Sequence, residues 1–173
     1  AYTDDILTVS VGGSDADGDL VQYVYSWLVD GSEALSDGPT PSATSSLDGA
    51  AHFERGQSVQ AVVTPVGGSA ATSGIFVVAN SVPTAPSVSV SPVEPLEGED
   101  ITCTAAGSTD ADSGDSVSYV YAWTQDGAAR SDLDGLDTVP ASATGPGEDW
   151  TCTAAATDGT DSSSSASATA SVE

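Results

Sequence analysis

The chain has 173 residues, room for one large domain or two small ones, and 39% of them are hydrophobic, with Ala, Val and other small residues dominating. Its 26 acidic residues face two arginines, Arg55 and Arg130, and no lysine, for a formal charge of −24. That balance repels phosphate backbones and anionic membranes and attracts divalent cations, and no apolar run approaches the ~20 residues needed to cross a bilayer, so nucleic-acid binding and membrane insertion are not expected.

In chain order, Leu7, Val9 and Val11 alternate with polar residues as the first strand. The loop DADGD follows, carrying Asp15, Asp17 and Asp19. Val21, Tyr23, Tyr25, Trp27 and Val29 then share one face of a strand that Asp30-Gly31 closes as a hairpin-type turn. GQSVQAVVTPVGG from Gly56 reads as a further strand, and the NSVPTAP stretch with Pro83 and Pro86 punctuates the chain. Beyond it the pattern starts again. A linker and first strand come from PTAPSVSVSPVEPLEG, and Ile101, Cys103 and Ala105 alternate next. DADSGD holds Asp110, Asp112 and Asp115, YVYAW runs from Tyr119 to Trp123, and Asp126-Gly127 repeats the turn. GEDWTCTAAATDG from Gly147 matches the segment from Gly56, and SASATASVE supplies a last strand of small residues.

The period is about 91–95 residues, too long for a solenoid and suited to tandem domains. The boundaries read 1–82 for the first unit and 83–173 for the second. No 3.6-residue apolar period persists for ten residues, so the fold class is all-β. Only Cys103 and Cys152 are present, with Trp123 between them. That order is the signature of an immunoglobulin-type sandwich, in which the two cysteines bridge the sheets and the tryptophan packs on the bridge. A two-cysteine metal site is the alternative, but the sole histidine, His52, lies in the other unit. A bridge implies an oxidising, extracellular compartment. Val9 and Ala61 occupy the matching places in the first unit, which must therefore hold without one.

With STDADSGD, YVYAWTQDG, WTCTAAATDGTD and NSVPTAP in view, the chain resembles the tandem Ig-like repeats of long bacterial surface and secreted proteins, and is similar to PKD-type domains in its W-x-x-DG turn. The resemblance implies two tandem immunoglobulin-like β-sandwich domains in an architectural role and names no catalytic residue. The first unit departs from the pattern: it lacks both cysteines, TPVGG replaces the ATDGT loop, and it starts at the foot of its second strand without a strand A. The chain is expected to be an excerpt of a longer array; the other reading is that another chain supplies that strand.

Two functions from different classes follow. One is a non-enzymatic structural protein at the cell surface or outside the cell, its repeats forming a rod or filament by self-association into a homopolymer or with neighbouring repeats of a longer chain. The other is an adhesin-type module that recognises a glycan or protein receptor through its loops. Loops of Asp, Gly, Ser and Thr favour the first. Trp27, Trp123 and Trp150 fall on inward-facing positions, which speaks for core packing over sugar stacking. His52 is expected as a surface residue in a loop, and the carboxylate pairs lack the surroundings of a glycosidase cleft. In an immunoglobulin sandwich the loops bearing Asp110, Asp112 and Asp115 and those bearing Asp158 and Asp161 lie at one end, so a Ca²⁺ site is an expectation there, beside the plainer reading of aspartates as turn-makers. Asp15, Asp17 and Asp19 form a weaker counterpart without carboxylates from the opposite loop.

Overall fold

A computed structural model describes all 173 residues. Its elements are strands joined by turns, apart from a one-turn helix and two short 3-10 turns. The chain divides into two compact units: residues 1–81 with the loop tip 111–113, and 82–110 with 114–173.

In the first unit, β1 (Ile6–Ser10) pairs antiparallel with β4 (Thr44–Asp48) as a two-stranded sheet. The second sheet is built on β2 (Tyr23–Val29), flanked by β3 (Ser32–Thr40) and β5 (Ser58–Pro65). Two fragments, β6 (Ala71–Thr72) and β7 (Phe76–Val77), continue along β5. The alternation expected for β2 is realised: Tyr23, Tyr25, Trp27 and Val29 are buried while the residues between them are half-exposed. Every second side chain of a strand points to the same face, so Trp27 and Val29 join Leu47, Phe53, Val59 and Ala61 in one core cluster, and Tyr23 and Tyr25 join Val63 in a second. The polar handles of the rings are satisfied inside. Tyr25 Oη donates to the Ser42 carbonyl at 2.7 Å, and Trp27 Nε1 donates to Ser45 Oγ at 3.1 Å. His52, expected in a loop, closes the one-turn helix α1 (Gly49–His52) and is half-buried. Asp48 starts a local turn there that the strand pattern of the sequence does not announce.

The second unit has β8 (Ser87–Ser91), β9 (Ile101–Ala106), β10 (Ser118–Gln125), β11 (Ala128–Ala129), β12 (Thr138–Val139), β13 (Asp149–Thr157) and β14 (Ala166–Ser171). One sheet runs β12-β9-β8 and the other β11-β10-β13-β14. Cys103 and Cys152 are bonded across them, with Cα atoms 6.3 Å apart. Trp123 and Trp150 meet edge to face at 6.5 Å beside the bridge, within a cluster that includes Ile101, Leu133, Val139 and Val172. This core is therefore two indoles and a disulfide framed by aliphatic side chains, which is how a sandwich whose last strand reads ASATAS still fills its interior.

Both hairpin turns form at Asp-Gly. Asp30 and Gly31 have φ of 50° and 77°, and Asp126 and Gly127 have 50° and 78°. Successive positive φ values match the right-handed twist of the strands they join, and Asp and Gly are the residues that tolerate them.

Candidate functional site

The acidic loop of the second repeat brings three of its expected residues together. Carboxylate oxygens of Asp110, Asp112 and Asp115 lie within 4.8 Å of one another. Asp110 and Asp115 are half-buried, and Asp112 is only 4% exposed. A carboxylate removed from water to that degree needs donors, and Asp112 has them. Oδ1 accepts from Thr3 Oγ1 and from Ser81 Oγ (3.0 Å), while Oδ2 accepts from the Ser81 N–H at 2.8 Å and lies 3.9 Å from the Arg55 guanidinium. Burial pushes the Asp112 carboxyl up, but the hydrogen bonds from Thr3 and Ser81 and the Arg55 charge outweigh it and hold it below the usual carboxylate range.

For a calcium ion the donor set is thin. Ca²⁺ takes 6–8 oxygens, and both oxygens of the most buried aspartate already receive protein hydrogen bonds. The arrangement is that of a carboxylate cross-linking the segments around Thr3, Arg55 and Ser81 within its compact unit.

The remaining aspartates make turns. Asp158 Oδ1 accepts from the N–H groups of Thr160 (2.6 Å) and Asp161 (2.7 Å), and the Asp161 carbonyl accepts from Thr157 Oγ1 at 2.8 Å. In the first unit Asp15 Oδ1 accepts from the Asp17 N–H at 2.8 Å, an Asx turn, and Asp15, Asp17 and Asp19 are all exposed. Asp15 and Asp19 border a shallow groove of about 430 Å³ shared with Gly12, Leu20, Val21 and Tyr23.

Two polar devices lie outside the expected sites. Asp30 Oδ1 accepts from the Ser58 N–H at 2.8 Å, and Asp126 Oδ1 accepts from the Asp149 N–H at 2.9 Å. Each turn aspartate thus pins the start of the neighbouring strand, β5 or β13. The Ser58 N–H, followed by the Gln57 amide, holds the Asp30 carboxyl below its ordinary value. The second device is Glu148. Its Oε2 accepts from the Gly145 N–H (2.8 Å) and Trp150 Nε1 (3.0 Å), and its Oε1 from Gln125 Nε2 (2.6 Å). The Gly145 bond leads, and with Trp150, Gln125 and the Arg130 charge it outweighs burial and lowers the carboxyl. Arg130 closes this cluster, 4.9 Å above the Trp150 ring, bonded to Gln125 Oε1 and paired with Asp132 at 2.8 Å. The sequence signal for Glu148 was present but silent: an acidic residue two positions before a tryptophan looks like surface until the indole N–H is seen to need an acceptor.

No family model and no curated protein sequence matches this chain. Among solved structures it is similar to fibronectin(III)-like modules of Clostridium thermocellum CbhA, at 16% identity and TM-score 0.35 over 99% of this chain and 87% of that one. It is similar also to a two-domain fibronectin type III segment from chicken tenascin (14%, TM-score 0.49, 99% and 94%) and to chicken CNTN1 FN1–FN3 domains (13%, TM-score 0.43, 99% and 63%). Values this low say nothing of activity, and the fold assignment rests on the strand pairing above.

Proposed function

We propose that the chain is a non-enzymatic, extracellular structural protein whose tandem sandwiches serve as repeats of a filament or surface stalk, of the kind that the repeat motifs resemble in long bacterial surface proteins. The observation that carries this reading is where the aromatic rings are. Tyr2 is the one exposed aromatic residue; the rings of the repeated Tyr-x-Tyr-x-Trp strands are buried or half-buried. Protein partners are engaged chiefly through aromatic and arginine anchors, and apart from Tyr2 and Arg55 these loops offer mainly Asp, Gly, Ser and Thr. The disulfide supports an oxidising compartment. No helix is long and apolar enough to cross a membrane.

Negative-stain imaging of the purified chain, at low and at raised salt, tests the reading. The expected result is end-to-end assemblies that lengthen with salt as repulsion between chains of charge −24 is screened. Monodisperse particles under all conditions, together with saturable binding to a glycan or receptor protein, would replace it with the adhesin reading.

A further inference from the structure

The disulfide divides the second unit into a part that a pull on the chain draws out and a part that it does not. Cys103 and Cys152 are 49 residues apart in sequence, yet their Cα atoms are 6.3 Å apart. Tension arriving along the chain before Cys103 crosses to Cys152 through the covalent bond and leaves along the chain after it. The stretch between them, with β10, β11 and β12, carries no load. In the first unit Val9 and Ala61 stand at the matching places, so every residue of that unit lies in the load path.

The strands outside the held loop are also the ones that hide the bridge. Cys103 has Val90 of β8 opposite it on one side, and on the other its N–H donates to the Asp137 carbonyl. Cys152 has Ala168 of β14 on one side and Trp123 of β10 on the other. Each cysteine thus lies between one neighbour inside the loop and one outside. The outer neighbours hold each other: β8 packs against β14, and the chain just after β8 continues along that strand, where the Val93 carbonyl accepts from the Ser171 N–H and the Pro95 carbonyl from the Glu173 N–H. Under this cover Cys103 is 2% exposed and Cys152 0%. Thiol–disulfide exchange needs a thiolate to reach a sulfur, so in the unloaded fold the bridge is closed to it. β8 and β14 lie wholly within Val82–Thr102 and Thr153–Glu173, the segments on which the pull acts.

We infer that the Cys103–Cys152 bridge is a thiol-exchange site opened by tension: pulling strips β8 and β14, the bridge halts the extension, and the uncovered sulfurs accept a thiolate from solvent. The external thiolate forms a bond to one Sγ, the Sγ–Sγ bond breaks, and the other cysteine leaves as a thiolate. The external sulfur is oxidised and the leaving cysteine reduced, so electrons balance. The held loop then joins the load path and adds its 49 residues, roughly 170 Å at about 3.5 Å per extended residue. Under load the second unit therefore has two lengths, chosen by the thiol content of its surroundings, and the first has one. The inference rests on the stalk reading above, since only a chain that carries load between its ends meets such tension.

The full chain, held by its two ends in a force spectrometer, tests it. Without reductant two extensions are expected: roughly 280 Å from residues 1–81, and roughly 150 Å from the second unit, which releases only Val82–Thr102 and Thr153–Glu173. In millimolar dithiothreitol a further step of roughly 170 Å should follow the 150 Å step, at a rate proportional to the dithiothreitol concentration. Thiol labelling of the unloaded native chain in the same reductant should be slower by about tenfold or more, because it must wait for spontaneous opening. Release of the whole second unit without reductant would overturn the inference. So would a 170 Å step that precedes the 150 Å step, or labelling at rest as fast as exchange in the opened chain. A variant with Cys103→Ser and Cys152→Ser should give one step of roughly 320 Å in place of the two; if it does not fold, the reductant series on the native chain decides alone. Because single chains are pulled, the result is separate from assembly. A chain that never forms filaments yet shows the ordered steps overturns the stalk reading alone, and filaments of a chain without those steps overturn the tension-opened site alone.

Discussion

Trp123 stands directly opposite Cys152 in the β10–β13 ladder, and Trp27 stands opposite Ala61 at the same place in β2 and β5. Two matched positions, Val9 and Ala61 against Cys103 and Cys152, therefore separate a core held by packing alone from a cross-linked one. The bridge spans 49 residues of sequence, and closing such a loop is worth about 4 kcal/mol in the chain-entropy treatment. Reduction should lower the denaturant midpoint of the transition reported by Trp123 and Trp150 and leave that reported by Trp27 in place. A single transition indifferent to reductant would contradict this.

Asp112→Ala should destabilise the first unit by about 1–3 kcal/mol, because the Ser81 N–H and the Thr3 and Ser81 hydroxyls lose a buried charged acceptor. The loss is expected to be equal in chelator and in millimolar calcium, since the role rests on protein donors. Thermal melts of both proteins in both buffers check it; a loss confined to the calcium buffer would point to an ion in the loop instead.

Gly127 has φ of 78°, and a Cβ placed there would meet nothing within 4 Å. Gly127→Ala should accordingly cost about 1 kcal/mol through backbone conformation alone. Gly31, with φ of 77° and the same open surroundings, should behave alike. A much larger loss at either, measured by urea unfolding, would mean that the turn makes a contact the geometry does not reveal.

Acid should destabilise the fold in a defined direction. Asp112 and Glu148 are both held below the ordinary carboxylate range in the folded chain. Groups of that kind give their full stabilisation above the unfolded values, about 4, and lose it as pH falls through the folded ones. The melting temperature should therefore drop steeply below about pH 4. Glu148→Gln should flatten the drop in the second unit, and Asp112→Asn in the first.

Most of the architecture is legible in the residues themselves. Alternation at Tyr23, Tyr25 and Trp27 states which face is inside, Asp-Gly states where the chain reverses, and the spacing of Cys103, Trp123 and Cys152 states how the sheets face each other. What stays hidden is partner choice over long separations. Nothing local tells Asp112 that Thr3, 109 residues away, will donate to it, because the pattern of a loop encodes its turns and not its neighbours. The break in the last strand of the first unit at Ser73–Ile75 is hidden for a different reason. Ser73 and Gly74 carry too little apolar contrast for a period-2 pattern to show where pairing stops.

Arg130 lies over the Trp150 ring, bonded to Gln125 and to Asp132. It is one of two basic residues in the chain, and the other, Arg55, is bonded to Asn80 and close to Asp112. A protease that cuts after lysine or arginine thus finds two addresses in 173 residues, each with its side chain engaged by the fold, and must wait for local opening to use either. The same scarcity leaves amine-directed chemistry without a single lysine side chain in these 173 residues. Resistance to cleavage after basic residues is thereby written into the composition, and the clamp on Arg130 extends it to one of the two bonds that composition leaves open.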